Sequence, residues 1–254
     1  MKNSSLVEIL YNAHNLKQPI SKERIPKNIS KTDAYEVQHL ITNKKVADNQ
    51  DILLGYKISL TSEETQKLFQ STTPLYGALT KTSLADGIIE LDKMNAPLIE
   101  VELMFIVNEN LSTEDSDDAI LRKTSIAPGL EVPDSRFTDW FPKISFGQVI
   151  ADSAVAGNII VGSPVEKITV DQLGEIKADL RLNGESISSG TSSEVLNNPV
   201  NAIKWLVDEL AKSGRIIEKG MIISSGTFIL PKVLQKGNYE ANFDNVGKIS
   251  LNVI

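Results

Sequence analysis

Not one of the 254 residues is cysteine, and only two are histidine. The first absence removes disulfides, thiolate nucleophiles and sulfur-ligated zinc together. The second leaves His14 and His39, both inside helical patterns near the N-terminus, so a Ser-His-Asp triad or a multi-histidine metal site has little support and a structural or surface role is assigned to each. No apolar run approaches the length of a membrane span, and "MKNSSLVEILYNAHNLK" places polar and charged residues where a signal peptide needs its apolar stretch. The expectation is a cytoplasmic protein with no membrane partner. With 26 Lys and Arg against 33 Asp and Glu, the net charge is −7, and there is no basic stripe for nucleic acid. Neither G-x-x-x-x-G-K-[ST] nor G-x-G-x-x-G occurs, so nucleotide binding lacks a motif. Chemistry therefore falls to carboxylates, lysines, arginines and hydroxyls.

What is present suffices for a substantial core, as one large domain or one with a small appendage. The first fifty residues read as two helices, from about Ser4 to Leu16 and from about Lys31 to Val46, the second with Ser30 as N-cap and Asp33 three residues on. From Asp51 the pattern turns to short strands, among them "ILLGYKISL", "PLYGAL", "GIIEL", "IEVELMFIV", "GNIIVG", "IKADLRLNG", "MIISSG", "YEANF" and "KISLNVI". One long helix interrupts them: "NNPVNAIKWLVDELAKSG" offers Asn198 as N-cap, Pro199 at the first helical position and Gly214 past the end. The fold class is α+β, with a helical segment over residues 1–50 and a β-rich unit over 51–254 that is continuous with it. The acidic run "STEDSDDAI" lacks the spacing and central glycine of an EF-hand loop and reads as a solvated helix N-terminus.

Two glutamates interrupt the apolar run "PLIEVELMFIV". Strand alternation puts Leu98, Glu100, Glu102, Met104 and Ile106 on one face and Ile99, Val101, Leu103, Phe105 and Val107 on the other. Both faces are mostly apolar, so the strand reads as covered on both sides, where a carboxylate costs several kcal/mol unless it is paired, protonated or metal-bound. Residues two apart on a strand are roughly 6.5–7 Å apart at the backbone, close enough for both side chains to meet one cation. A strand end with both glutamates in water is the alternative. A third carboxylate, Glu131 in "IAPGLEVPDSRFTDW", completes an oxygen-rich set suited to Mg²⁺ or Mn²⁺, or else pairs with Arg136. Lys57, in "GYKISLTS", stands at a strand mouth, either as a general acid/base or substrate-carboxylate ligand, or as a snorkelling surface lysine. "SSGT", Ser224 to Thr227, ends a strand in a pocket or a simple turn.

These stretches, together with "TPLYGALT", "ADSAVAG" and "SSGTSSEVLNNPVNAIKWLVDELAKSG", follow in order and spacing the pattern of a known family. The chain resembles the 2-keto-4-pentenoate hydratase and 4-oxalocrotonate decarboxylase family, within the fumarylacetoacetate hydrolase superfamily. The resemblance implies a mixed β-roll core, a homo-oligomer, a divalent metal (Mg²⁺ or Mn²⁺) on Glu100, Glu102 and Glu131, and Lys57 as the active-site lysine. It places Leu75, Tyr76, Ser153 and Thr227 against the substrate. It implies a lyase acting on short 2-oxo or 2-hydroxydienoic acids through a metal-stabilised enolate. Family hydratases carry an aspartate in "PDFG" or "PDYG", where this chain has Leu75, so decarboxylation of a 4-oxalocrotonate-like acid is favoured over hydration of a 2-hydroxydienoate. Ser59 stands in place of the usual glycine, Ser153 and Val155 replace the Asn and Ser of "ADNAS", and Asn198 replaces a histidine. An acylpyruvate-type hydrolase and a catalytically silent homologue are the other readings.

Overall fold

Ser30 opens the second helix as expected: its Oγ accepts from the Asp33 amide at 3.0 Å and donates to the Asp33 carboxylate at 2.7 Å. The computed structural model describes residues 2–165 and 167–254. Helix α1 (Lys2–Leu16) lies along α2 (Lys31–Asn49), with Val7, Leu10 and Tyr11 in the same core as Ala34, Val37 and Ile41. Helix α2 ends where Gln50 turns left-handed, at φ 53°.

The chain continues through β1 (Leu53–Ser59), α3 (Glu63–Leu68), β2 (Leu75–Thr80), β3 (Ile88–Ile89), β4 (Leu98–Val107), α4 (Asp117–Lys123), β5 (Thr124–Val132) and α5 (Phe146–Ala151). It then forms β6 (Asn158–Val161), α6 (Val170–Gly174), β7 (Lys177–Leu182), β8 (Glu185–Thr191), α7 (Pro199–Ala211), β9 (Ile222–Thr227), β10 (Lys232–Val233), β11 (Gly237–Phe243) and β12 (Gly247–Val253). The first sheet has the order β2-β1-β9-β4-β5-β6, with β10 added to β4, and only β1 and β9 run parallel within it. The second has the order β3-β12-β11-β7-β8. The class is the α+β expected. Among the described residues no helix is long and apolar enough to cross a membrane.

Strand β4 is the centre of the first sheet because both of its faces are covered; nine of its ten positions are buried. Helix α7 starts as its sequence dictates, with the Asn198 side chain accepting from the Val200 amide at 3.1 Å and Pro199 at the first position. Its buried stripe of Val200, Ile203, Leu206, Val207 and Leu210 packs against β9. Strand β8, "ESISSGT", is an element the sequence pattern does not announce. It is an edge strand paired only with β7, so its side chains remain polar and half exposed. Helices α5 and α6 are equally unannounced because they span only six and five residues. Each nevertheless opens on a capping box, Ser145 with Gln148 and Thr169 with Gln172.

A buried amide joins the Tyr35 hydroxyl, which accepts from the Tyr76 amide at 3.2 Å, in fastening the helical lead-in to the first sheet. Gln38 Nε2 donates to the carbonyls of Tyr76, at 3.1 Å, and Ile150, at 2.8 Å, while its Oε1 accepts from the Ala78 amide at 3.2 Å. Leucine would fill the space and strand three buried backbone groups. Gln38→Leu is expected to cost about 3 kcal/mol of unfolding free energy, read from the urea midpoint at unchanged slope; a cost below about 1 kcal/mol would mean that water replaces the amide.

Candidate functional site

Strand register brings the carboxylates together. Antiparallel pairing of β4 with β5 sets Glu100 directly opposite Glu131, and pairing of β4 with β9 sets Glu102 opposite Thr227. Because Glu100 and Glu102 are two apart, the pleat aims both at the face that Glu131 also occupies. Each of the three offers an oxygen, and these oxygens lie within 4.8 Å of one another. Lys57 on β1 reaches across β9 and β4 to put Nζ 2.9 Å from Glu131 Oε1, with the two side chains 1% and 0% exposed. The readings of strand-end glutamates in water and of a surface lysine are therefore excluded.

The donors around this cluster are few. Glu102 Oε2 accepts from Ser224 Oγ and, at 2.9 Å, from the Gly226 amide. Lys57 Nζ donates to the Ala154 carbonyl at 3.2 Å. Its approach to Glu131 is close but badly aligned for a hydrogen bond, so both Glu131 oxygens are buried without a hydrogen-bonding partner. Three carboxylates against one ammonium leave two negative charges uncompensated. Burial, reinforced by repulsion from Glu131 and opposed by Lys57, pushes Glu100 up to about 8. Burial and the repulsion of Glu131 and Glu100 raise Glu102 well above the ordinary carboxylate range, and burial raises Glu131 against the attraction of Lys57. For Lys57, burial favours loss of the proton, but the combined attraction of Glu131, Glu100 and Glu102 outweighs it and raises the ammonium. An all-oxygen donor set with orphaned oxygens and excess negative charge fits a divalent cation of the Mg²⁺ or Mn²⁺ type.

The carbonyl that holds Lys57 sits on strained backbone. Ser153, Ala154 and Val155 all have φ between 52° and 53°, a left-handed turn made without glycine. Such residues cost about 1–3 kcal/mol each. Gly77, the register partner of Lys57 on β2, lets this turn approach: a Cβ there would stand 1.9 Å from the Ser153 carbonyl oxygen. Arg136 and Asp152 hold the turn from the other side. The guanidinium pairs with the Asp152 carboxylate and donates to the carbonyls of Asp134, at 2.9 Å, and Ala156, at 2.6 Å. Arg136 is thus a clamp for the loop and no partner of Glu131. Asp152 and Gly77 are the supporting residues that the sequence reading passed over, although both lie inside motifs it singled out.

A cavity of about 30 Å³ opens beside Lys57, Glu100 and Glu102. Ser59, Thr65 and Thr227 contribute hydroxyl-bearing residues to its wall, and most of the remainder is apolar, including Leu60, Phe69, Trp140 and Phe141. Of the residues expected against the substrate, Thr227 lines this cavity, whereas Leu75, Tyr76 and Ser153 do not. Leu75 is buried on the sheet face of Lys57, opposite Ser59. Tyr76 points to the other face, where it stacks on Tyr35 at 4.4 Å between ring centroids and lies 2.9 Å from His39 Nε2. Ser153 belongs to the left-handed turn. A far larger groove, about 720 Å³, runs along the second sheet but shares only Thr227 with this site and lacks the carboxylate cluster, so size does not locate the chemistry.

Comparison with known proteins extends this picture. No family model matches the chain. The 2-oxo-hept-4-ene-1,7-dioate hydratase of Escherichia coli is 33% identical over 228 residues, covering 86% of this chain and 85% of that protein. The 2-keto-4-pentenoate hydratase of Paraburkholderia xenovorans is 29% identical over 248 residues, covering 94% and 90%. Among solved structures, 4-oxalocrotonate decarboxylase from Pseudomonas putida G7, complexed with magnesium and adipate, superposes with a TM-score of 0.89 at 24% identity, over 100% of this chain and 97% of that one. The fold is the fumarylacetoacetate hydrolase-like arrangement expected from the sequence. The chain belongs to the family of 2-keto-4-pentenoate hydratases and their relatives.

Proposed function

We propose that the protein is a divalent-metal-dependent lyase for short 2-oxo or 2-hydroxydienoic acids, acting as a decarboxylase of 4-oxalocrotonate-like substrates. The observation that carries this reading is the buried trio Glu100, Glu102 and Glu131 with Lys57, set at the end of a largely apolar cavity. The three glutamates would hold Mg²⁺ or Mn²⁺, which when bound supplies a Lewis acid for the substrate's carboxylate and adjacent oxo oxygen.

Lys57 is placed for proton transfer: Glu131 and the Ala154 carbonyl fix Nζ at the cavity wall, and the carboxylates keep it charged. As the carbon–carbon bond to the departing carboxylate breaks, its electron pair spreads through the conjugated chain to the 2-oxo oxygen and CO₂ leaves. Lys57 then delivers a proton from Nζ to the carbon chain. The apolar wall keeps water from the reacting carbon, and Leu75, on the same sheet face, offers no carboxylate to activate one. Hydration is the second reading, favoured by the names of the two curated relatives. It uses the same glutamates and Lys57 and requires a water held against the diene. Release of CO₂ from 4-oxalocrotonate and loss of diene absorbance from 2-hydroxypenta-2,4-dienoate, measured on one metal-loaded preparation, decide between them. Turnover of neither would reject the lyase reading. Homo-oligomeric assembly is part of the same proposal and is read by sedimentation.

Two substitutions address the assigned residues. Glu102→Gln removes one charge from the trio while keeping a group that can accept from Ser224 and the Gly226 amide, so the fold should persist and Mn²⁺ binding in calorimetry should be lost; an unchanged affinity removes Glu102 from the metal set. Lys57→Met keeps the length of the side chain without its proton, and turnover of the metal-loaded enzyme should fall by roughly 10² or more. Near-normal turnover would leave Lys57 as a counter-ion only.

A further inference from the structure

We propose that Ser59 recognises the end of the substrate remote from its 2-oxo acid group, donating a hydrogen bond from Oγ to a distal carboxylate; this rests on the function proposed above and extends it. Ser59 follows Lys57 by two residues on β1, so the two share a sheet face, roughly 6.5–7 Å apart at the backbone.

The rest of the cavity wall shows why this hydroxyl is singled out. Thr65 Oγ1 is committed to its helix cap, donating to the Ser62 carbonyl at 3.0 Å and accepting from the Ser62 amide at 3.3 Å. Thr227 Oγ1 is committed to its own turn, donating to the Ile229 carbonyl at 2.9 Å and accepting from the Ile229 amide at 3.3 Å. The Trp140 indole donates to the Ala96 carbonyl at 2.9 Å. Lys57 already serves Glu131 and Ala154. Among the described residues, Ser59 Oγ is the hydroxyl on this wall that makes no hydrogen bond within the protein. Its cross-strand neighbour on the same sheet face is the buried hydrocarbon of Leu75.

A neutral donor in this place has a chemical consequence. Apart from Lys57, no lysine or arginine lines the cavity among the described residues. A distal carboxylate would therefore be oriented by one hydroxyl without a cation beside it. A cation would hold the carboxylate's charge and resist its loss as CO₂, whereas one hydroxyl aligns the breaking bond and leaves the charge free to move into the conjugated chain.

The test compares two ligands of equal chain length, 2-oxoadipate and 2-oxohexanoate, which differ only in a terminal carboxylate against a methyl group. Calorimetric affinities are measured on the Mg²⁺-loaded wild type, Ser59→Ala and Ser59→Thr. The Ser59→Ala variant should lower the ratio of the two affinities about tenfold, the size of one hydrogen bond to a charged group. Ser59→Thr, which keeps the hydroxyl, should restore the ratio. A change in shape alone moves both ligands together, so an unchanged ratio in Ser59→Ala would overturn the assignment while leaving the lyase reading intact. Failure of the Mg²⁺-loaded wild type to bind either 2-oxo acid would overturn both.

Discussion

Three carboxylates and one ammonium are buried together, and this imbalance governs the arrangement of everything around it. Isolated ionised carboxylates in such a setting cost several kcal/mol each and ordinarily take up protons instead. The fold meets the cost in part. Ser224 and the Gly226 amide serve Glu102, and Lys57 approaches Glu131, but neither Glu131 oxygen is given a hydrogen bond. A protein stabilised only for its own sake would put hydrocarbon here, because well-packed apolar residues match or exceed a buried ionic cluster in stability. The excess negative charge is what the divalent cation proposed for these glutamates would offset.

Positioning that deficit requires rigid elements. The glutamates stand on adjacent strands in fixed register, where a slip of one residue would turn Glu100 and Glu102 to the opposite face. The lysine comes from a third strand and is held by a carbonyl on a turn that is unfavourable by itself. Ser153, Ala154 and Val155 retain their left-handed conformation because Gly77 admits them on one side and the Arg136–Asp152 pair secures them on the other. Strain of this kind persists only where the surroundings over-determine it. Here the surroundings are a buried ion pair and a missing Cβ, neither of which touches the cavity.

The parts legible in the sequence were those with one-dimensional signatures. Period-two alternation exposed Glu100 and Glu102 as misplaced charges inside an apolar run, and Asn198-Pro199 and Ser30 marked helix starts. Other features depend on which strand faces which. Nothing within "TPLYGALT" says that Gly77 will lie against the Ser153 carbonyl, or that Leu75 will sit opposite Ser59. Tyr76 illustrates the limit well: one step of the pleat from Leu75, it belongs to the other face of the sheet, in a stack with Tyr35 and His39. Arg136 was legible as a cation near Glu131 in sequence, but its partner is sixteen residues away at Asp152. The unannounced β8 is polar because an edge strand with water on one side needs no apolar run.

Decarboxylation and hydration diverge at the cavity wall rather than at the metal-binding face. In the proposed chemistry both would begin with a 2-oxo or enol oxygen beside the same glutamates and both would draw on the proton of Lys57. The cavity wall is mostly apolar, with Phe69, Trp140 and Phe141 as its largest side chains. Once the acid is seated, the space left for a second reactant is lined by hydrocarbon and a single uncommitted hydroxyl. A water there meets few free donors, because the Thr65 and Thr227 hydroxyls already donate to backbone carbonyls, whereas an ordered water usually makes about three hydrogen bonds. A carboxylate leaving as CO₂ needs no such partners. In the proposed decarboxylation the poverty of hydrogen bonds that disfavours a waiting water would favour the loss of a charged group into a neutral gas, because the charge would move towards the end of the cavity where the glutamates would hold a cation.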